Sequence, residues 1–369
     1  MKKAVIAAAA ALLALTGCAS DMRSGSASAA STGTAAGTET VTQQTTETTA
    51  ASAEVTSATE TEAAAETTAE PESSQPENAP IDVTAGINSA AAAVQSLDTG
   101  YAPVCFGSAK PSEEALQALT DSFQSLASIS GRASFILYDV NTASGVSCGA
   151  NTASCTQSVI KAAFIGSLIE SRPELLYSEY EAIHDTLVYS SNYDYEYLRS
   201  TYGVSALSQW CDEAGVSGNI AYQAYPVMPP LDMLRLFGRL YKFLSVSETG
   251  QQLSSLYRYS IGSAGNAIYG GSCVVWSKAG WECGAADDEV SYDPTAPIPA
   301  YLTDGDPYND ECAANDAGII FSESGPYIYV VFTSIPFGVF EENNPDNPLP
   351  DITRRLHDAA ASMGRDTAF

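Results

Sequence analysis

Two side chains suited to covalent chemistry stand three residues apart at the start of an apolar stretch. The segment 155–161 reads Cys-Thr-Gln-Ser-Val-Ile-Lys, and the apolar run 162–169 follows it. Residues three apart share one face of a helix, so the Lys161 amine can take the proton of Ser158. This role requires burial or a neighbouring cation to lower the lysine pKa from about 10.4. The alternative is an ordinary N-cap serine followed by an unrelated lysine.

Two further polar motifs follow along the chain. Ser190-Ser191-Asn192 precedes a predicted helix, and Lys278-Ala279-Gly280 ends a predicted strand. Ser190 is suited to passing a proton to a leaving nitrogen, Asn192 to binding a substrate amide, and Lys278 to attracting an anionic substrate. The structural alternatives are a loop before a helix and a solvated lysine at a strand end.

In order and spacing, the three motifs resemble the Ser-x-x-Lys, Ser-Asp-Asn and Lys-Thr-Gly motifs of the class A β-lactamases and related penicillin-recognising serine hydrolases. The resemblance implies catalytic roles for Ser158, Lys161 and Ser190. It implies substrate binding by Asn192, Lys278, Gly280 and Trp281, with an oxyanion hole made by the backbone N–H groups of Ser158 and Trp281. It implies no cofactor.

The chain departs from this pattern in the residues that govern turnover. The loop 216–228 contains no acidic residue where the class A enzymes carry a glutamate that activates water. Ser191 replaces the aspartate, Ala279 replaces a hydroxyl residue that holds a substrate carboxylate, and 317–320 lacks arginine. An acyl-enzyme is therefore expected to hydrolyse slowly.

The spacing of apolar residues predicts the elements that carry these motifs. An amphipathic helix is predicted after the candidate N-cap Ser112, followed by a hairpin over 133–140 and 146–149. Further helices are predicted at 158–171, 195–202, 204–214, 230–244 and 351–362, and strands at 273–276, 318–321 and 327–333. With the resemblance, this order predicts an α/β fold (an α+β sandwich) of the class A β-lactamase type. It has a mainly antiparallel sheet, terminal helices on one face and an all-α subdomain at about 156–248.

The N-terminal 85 residues differ in composition from the rest of the chain. Residues 1–17 combine two lysines, an apolar run and Leu-Thr-Gly before Cys18, which resembles a bacterial lipoprotein signal. Residues 18–85 are rich in Ser, Thr, Ala and Glu, a composition typical of a disordered linker. We therefore expect a lipidated Cys18, attachment to the extracytoplasmic face of the bacterial membrane, and one domain over 86–369. A plain secretory signal is the alternative.

Charge and cysteine content narrow the function class further. The formal charge of -28 over 369 residues argues against nucleic-acid binding. The two histidines lie far apart and no Cys-x-x-Cys spacing occurs, so no metal site is expected. Cysteines of an exported chain tend to form disulfides. Cys148–Cys155 and Cys283–Cys312 are the nearest candidates, with Cys155–Cys283 as the rival.

Two hypotheses of different classes follow from the sequence. In the first, a lipid-anchored serine hydrolase or acyltransferase forms an acyl-enzyme with a β-lactam, a peptidoglycan-derived molecule or another amide or ester. In the second, the chain is a catalytically degenerate surface protein that keeps the fold for binding or structure. The missing loop acid, Ser191 and Ala279 favour the second hypothesis.

Overall fold

The computed structural model describes residues 83–282, 313–335 and 348–363. Its helices are α1 (Val83–Leu97), α2 (Glu113–Ile129), α3 (Ile160–Ser171), α4 (Leu175–Ser178), α5 (Tyr180–Leu187), α6 (Asn192–Tyr202), α7 (Ser205–Glu213), α8 (Pro230–Val246), α9 (Glu248–Tyr257), α10 (Ala264–Tyr269) and α11 (Pro348–Ser362). Its strands are β1 (Val104–Phe106), β2 (Ala133–Asp139), β3 (Ser144–Cys148), β4 (Ser154–Cys155), β5 (Val227–Met228), β6 (Val274–Glu282), β7 (Ala313–Ser322) and β8 (Gly325–Thr333).

Six strands form one sheet in the order β1-β3-β2-β8-β7-β6, and every neighbouring pair in it is antiparallel. The central pair joins β2 to β8, so the sheet combines strands from both ends of the described chain. Two tight connections, β2 to β3 and β7 to β8, are hairpins, as the turn residues predict. The strand β6 lies at the edge of the sheet, next to the helical part of the chain.

Each face of the sheet is covered by helices. Alternate residues of β2 point to opposite faces: Phe135 and Leu137 pack in the core with α2 and α11, and Ile136 and Tyr138 pack in the core with α1, α3 and α8. The first predicted helix and the closing helix therefore share one face. The Ser112 side chain accepts a hydrogen bond from Ala115 N at 3.2 Å, which confirms the predicted N-cap of α2.

An all-α segment separates β4 from β6, interrupted in the described chain by the two-residue β5. Its first helix, α3, is buried on nearly all sides, as its apolar sequence predicts. The predicted end of the all-α subdomain at about residue 248 is too early, because α9 and α10 extend the helical segment to Tyr269. The Ser247 hydroxyl accepts from Gly250 N at 2.8 Å at the start of α9, and Leu253 and Leu256 turn to the core at helical spacing.

The sequence analysis did not predict α1 or β1. The buried residues of α1 recur mostly at intervals of three or four and pack against the helical segment: Val83, Ile87, Ala90, Ala91 and Val94. The Lys278-Ala279-Gly280 motif was placed at a strand end, but it lies inside the nine-residue strand β6. In that strand, Lys278 pairs with Ala317 of β7, so its backbone is fixed by the sheet.

Cys148 forms no disulfide, so the predicted Cys148–Cys155 pair is wrong. Cys148 is a buried thiol in β3, whereas the Cys155 thiol lies 3.8 Å from the carbonyl oxygen of Tyr225, to which it donates. Burial raises the pKa of the Cys148 thiol to about 12 and keeps it unreactive. Cys283 and Cys312 lie outside the described residues, so the predicted pair Cys283–Cys312 and its rival Cys155–Cys283 stay predictions. Cys18 and the predicted linker up to residue 82 also lie outside the described residues.

Candidate active site

A strained turn presents Ser158 at the entrance to α3. Residues Gln157–Val159 form a 3₁₀ turn, and Gln157 has a φ of 48°, a conformation that costs a non-glycine residue about 1–2 kcal/mol. Two contacts hold the chain before this turn: Asn315 Nδ2 donates to Cys155 O at 2.9 Å, and Thr156 N donates to Pro226 O at 3.0 Å. Ser158 is 8% exposed, so most of the residue is buried.

Lys161 is fully buried one turn further along the chain. Its Nζ donates to Ser190 O and to Asn192 Oδ1, both at 2.7 Å, and lies 3.4 Å from Ser191 O. Burial lowers the pKa of Lys161 to about 7. A neutral amine has two N–H donors and one lone pair. The two short hydrogen bonds use both donors of the neutral amine, and the longer one to Ser191 O is made by the ammonium form, which has a third donor.

The Ser158 hydroxyl makes no hydrogen bond to Lys161 in the described part of the chain. The two side chains are nevertheless brought to one side by their spacing, Ser158 in the 3₁₀ turn and Lys161 in the first turn of α3. Catalytic hydrogen bonds are often absent without substrate and form in the complex. Ser158 and Lys161 therefore lie within one helical turn of each other.

Ser190 connects the second motif to both lysines. Its carbonyl oxygen accepts from Lys161 Nζ, and its hydroxyl oxygen accepts from Lys278 Nζ at 2.9 Å. Ser190 has a φ of 60°, which is uncommon for a residue other than glycine. The neighbouring Ser191 acts as the N-cap of α6, and its hydroxyl bonds to Asp194 Oδ2 at 2.5 Å. Ser191 thus has the structural role of a helix cap.

The side-chain amide of Asn192 uses its oxygen, but not its nitrogen, for hydrogen bonds with described residues. Its Oδ1 accepts from both Lys161 Nζ and the hydroxyl of Tyr225, the latter at 2.8 Å. Its Nδ2 makes no hydrogen bond to a described residue, and the residue is exposed. The two donors to Oδ1 fix the orientation of the amide and place Nδ2 on the side away from Lys161 and the Tyr225 hydroxyl.

Tyr225 is the residue of the 216–228 loop that reaches the site. Besides its bond to Asn192, its ring lies 5.8 Å from Lys161 Nζ. The short antiparallel pair β4–β5, with Cys155 opposite Val227, holds this loop against the segment before Ser158. A phenol of this loop therefore contacts Asn192 and lies near Lys161, whereas the resemblance implies a carboxylate from the same loop. The sequence shows that the acid is missing, but two tyrosines in the loop leave open which one takes its place.

Lys278 is the second fully buried amine of the site. Its Nζ donates to Ser190 Oγ and to Ala279 O, each at 2.9 Å, and lies 5.6 Å from the centre of the Trp281 ring. Burial, followed by the positive charge of Lys161, lowers the pKa of Lys278 well below its usual value. A bound anion would favour the protonated form, so substrate binding and proton uptake at Lys278 are expected to be coupled.

Asp316 is a buried carboxyl group in this region that the sequence analysis missed. It pairs with Ala279 in the sheet, and its charge opposes the lowering of the Lys278 pKa. Its Oδ2 accepts from Gly265 N at 3.0 Å and from Tyr329 OH at 2.8 Å, and burial raises its pKa to about 6. An acidic residue inside the apolar stretch 313–321 was the signal in the sequence, since such residues need a buried partner.

Gly280 brings the edge strand into contact with the backbone at Ser158. A Cβ atom at this position would lie 2.8 Å from both Ser158 N and Val159 N, and 2.9 Å from Thr156 O. Only glycine permits this approach. Because β6 is an edge strand, part of its backbone faces away from β7. This is the side on which the resemblance places the Trp281 N–H opposite that of Ser158. The Trp281 ring itself packs over Gly262.

The structure brings the three predicted motifs together at the junction of the edge strand, α3 and the turn before α6. An antiparallel sheet with helices on both faces and an all-α insertion carries them. The chain has a class A β-lactamase-like fold.

The chain was compared with protein families, curated proteins and solved structures. No family model and no curated protein matches. Among solved structures, it is similar to a β-lactamase from Chitinophaga pinensis at 16% identity and a TM-score of 0.48, over 66% of this chain and 98% of that one. It is also similar to a class A β-lactamase from Mycobacterium abscessus, at 16% identity and a TM-score of 0.47, over 66% of this chain and 100% of that one. A representative of class A β-lactamase from Bacteroides cellulosilyticus has 12% identity and a TM-score of 0.48, over 66% of this chain and 97% of that one. These similarities concern the fold.

Within the described residues, no group of three or more His, Cys, Asp or Glu side chains is arranged to hold a metal ion. No described helix is both long and apolar enough to cross a membrane.

Proposed function

We propose that the protein is a lipid-anchored, extracytoplasmic serine hydrolase or acyltransferase that forms an acyl-enzyme at Ser158. The observation that carries this proposal is the meeting of two buried lysines at Ser190, with Lys161 one helical turn from Ser158. Neither amine forms an ion pair with a described carboxylate. A buried, unpaired amine lowers stability, and such groups are typical of sites that use a neutral lysine as a base.

The proposed reaction begins with attack of Ser158 Oγ on a carbonyl carbon. Lys161 Nζ accepts the hydroxyl proton as the Oγ–C bond forms, and the carbonyl oxygen takes the negative charge between two backbone N–H groups. The tetrahedral intermediate then expels the leaving nitrogen or oxygen, which takes the Ser190 hydroxyl proton, and Lys278, protonated while an anionic substrate is bound, restores that proton to Ser190. Water or another acceptor releases the acyl group in a second step, in which the proton of the acceptor passes to Lys278 and Lys161 returns its proton to Ser158 Oγ. Asn192 Nδ2 orients the substrate amide during both steps.

The second step is expected to be slow with β-lactams. No carboxylate of the 216–228 loop is available to activate water, since the loop contains none, and Tyr225 lies against Lys161 and Asn192 instead. General-base assistance is worth about 10²–10⁴ in rate. The proposed substrate is a β-lactam, a peptidoglycan-derived peptide or another amide or ester. Formation of the acyl-enzyme is better supported than its hydrolysis.

The test is covalent labelling of the detergent-solubilised full-length protein. Incubation with benzylpenicillin and a panel of activated esters is expected to add the mass of the acyl group, which peptide mapping locates at Ser158. The adduct is expected to be absent from Ser158→Ala and present in Ser167→Ala, which removes a buried hydroxyl of α3 that bonds to Phe164 O. Persistence of the penicilloyl adduct for hours without nitrocefin hydrolysis would show acylation without efficient turnover.

The competing function is a non-catalytic binding module. The specific observation in its favour is that Lys161 donates to main-chain and amide oxygens of the 190–192 segment, as a purely structural lysine does. If no reagent gives an adduct that depends on Ser158, the catalytic proposal fails and this alternative stands.

The membrane anchor is a separate part of the proposal and rests on the sequence around Cys18. Replacing Cys18 with serine is expected to move the protein from the membrane fraction to the soluble fraction, because the lipid-bearing thiol is lost. Immunoblotting of fractions from cells that express each form measures the shift. Retention of Cys18→Ser in the membrane fraction would argue against lipidation.

A further inference from the structure

An open groove rich in tyrosine lies on the helical segment, next to the start of α6. It has a volume of about 530 Å³. Its lining contains four tyrosines and three acidic residues, namely Tyr177, Tyr180, Tyr193, Tyr197, Glu179, Glu181 and Asp194. Tyr193 and Asp194 follow directly after Asn192, so the groove begins where the candidate active site ends. Nothing in the proposed reaction uses it.

The tyrosines are exposed to an extent that packing does not explain. Tyr193 is 82% exposed and Tyr177 is 73% exposed, and both remain part of one continuous surface with the two other rings. Contiguous exposed aromatic surface marks sites of interaction more often than single exposed rings do. The folding core is complete without these side chains, because Tyr195 and Leu198 supply the buried face of α6.

Hydrogen bonds hold the walls of the groove in place. Tyr177 OH donates to Gln252 Oε1 at 2.7 Å, and Glu179 Oε1 accepts from Tyr202 OH at 2.6 Å. The Ser191 hydroxyl bonds to Asp194 Oδ2 and accepts from Asp194 N. One aromatic ring and two acidic groups of the lining are therefore held in position before a ligand arrives, which lowers the entropy lost on binding.

The charge of the lining selects the ligand. Three acidic side chains face the groove and no lysine or arginine contributes to the described lining. Two arginines of the helical segment contact aromatic rings outside the lining: Arg172 lies over Tyr202, and Arg199 lies over Phe164 and Tyr195. Tyrosine faces attract cations through their negative π-electron density, and carboxylates add charge attraction.

We propose that this groove binds an alkylammonium group, such as the side-chain amine of a peptide. The tyrosine rings supply aromatic surface for the ammonium and its methylene chain, and Glu181, which makes no hydrogen bond to a described side chain, supplies the countercharge. An anionic ligand is disfavoured by the three acidic residues. This inference does not depend on catalysis at Ser158, because none of the groove residues belongs to the reaction proposed above.

The experiment measures binding of Nα-acetyl-lysine amide by ligand-observed NMR, with Nα-acetyl-norleucine amide as the uncharged probe of equal chain length. The full-length protein in detergent is expected to bind the lysine probe at least tenfold more tightly than the norleucine probe. Tyr193→Ala and Glu181→Gln are each expected to weaken binding of the lysine probe threefold or more. Tyr222→Ala, which removes a tyrosine 69% exposed outside the groove, is expected to leave binding unchanged.

Three results would overturn the proposal: equal binding of both probes, an equal loss in Tyr222→Ala, or preferential binding of N,N′-diacetylchitobiose, which would identify a sugar platform. Ser158→Ala separates this inference from the proposed function. Binding of the lysine probe to Ser158→Ala with unchanged affinity supports the groove even where covalent labelling fails, and loss of that binding counts against it.

Discussion

Replacing Lys161 with methionine is expected to slow acylation of Ser158 about a thousandfold, within the 10²–10⁴ range of general-base catalysis. Methionine has a similar length but cannot accept a proton. The substitution also removes a buried amine and its hydrogen bonds to Ser190 O and Asn192 Oδ1. The loss of these bonds and the relief of desolvation oppose each other, so the free energy of unfolding is expected to change much less than the rate. Stopped-flow labelling with an activated ester measures the rate.

The pH dependence of the wild-type acylation rate is a second, independent test of Lys161 as the base. Since burial lowers the pKa of Lys161 to about 7, the neutral form grows from about one-tenth at pH 6 to about nine-tenths at pH 8. The acylation rate is therefore expected to rise about tenfold over that interval and then level off. In Lys161→Met this rise is expected to disappear. A wild-type rate that is flat from pH 6 to 8 would contradict a neutral Lys161 as the base.

The same pKa shift affects stability in a known direction. Between pH 7 and about 10.5 the unfolded chain binds a proton at Lys161 that the folded chain does not. This lysine therefore makes the free energy of unfolding rise with pH in that window, and its burial destabilises the protein most below pH 7. A lysine kept for stability would have the opposite effect, which supports the catalytic interpretation.

Three further variants separate the roles of neighbouring groups. Lys242→Met removes an exposed lysine of α8 and is expected to leave acylation unchanged. Lys278→Met tests whether the route through Ser190 limits the rate, because it removes the donor to Ser190 Oγ. Tyr225→Phe keeps the ring near Lys161 but removes the hydroxyl that fixes Asn192. It is expected to weaken substrate orientation by about 0.5–1.5 kcal/mol, the net value of one hydrogen bond.

Local patterns in the sequence were sufficient to predict most of the elements around the site. The helix after Ser112, the hairpin and the strands β7 and β8 each combine periodic apolar residues with recognisable caps or turns. The meeting of Ser158, Ser190 and Lys278 was predictable because their three motifs resemble those of the class A β-lactamases in order and spacing, and that resemblance implies a fold that brings them together. In contrast, α1 follows the Ala-rich linker, and its alanines hide the buried positions among residues of the same type.

The parts of the site that escaped prediction depend on tertiary contacts. Ser190 has a φ of 60° and contacts two lysines that come from α3 and β6, and no local signal in the sequence indicates either feature. Tyr225 is selected by the pairing of β4 with β5, a match of two residues that is too short to recognise in a sequence. Asp316 is distinguishable from a surface aspartate only when the buried partners Ser263, Gly265 and Tyr329 are known.

Substituting Gly280 with alanine is expected to reduce acylation of Ser158 at least a hundredfold, the effect of losing one oxyanion donor. The added Cβ would lie within 2.9 Å of three backbone atoms of the segment 156–159. Backbone atoms cannot rotate away, so either β6 or the 3₁₀ turn must shift. Such a shift separates the Ser158 N–H from β6 and also strains the fold by about 1–3 kcal/mol.

Gly271→Ala is the matched control for this substitution, because a Cβ there would meet no atom within 4 Å. That variant is expected to acylate at the wild-type rate. Rates measured at 10 °C, where both variants are folded by circular dichroism, separate the loss of oxyanion binding from unfolding. Because the approach of β6 to Ser158 matters for charge stabilisation, Gly280→Ala should impair an ester and a β-lactam alike. Acylation of Gly280→Ala at the wild-type rate would mean that β6 does not form part of the oxyanion hole.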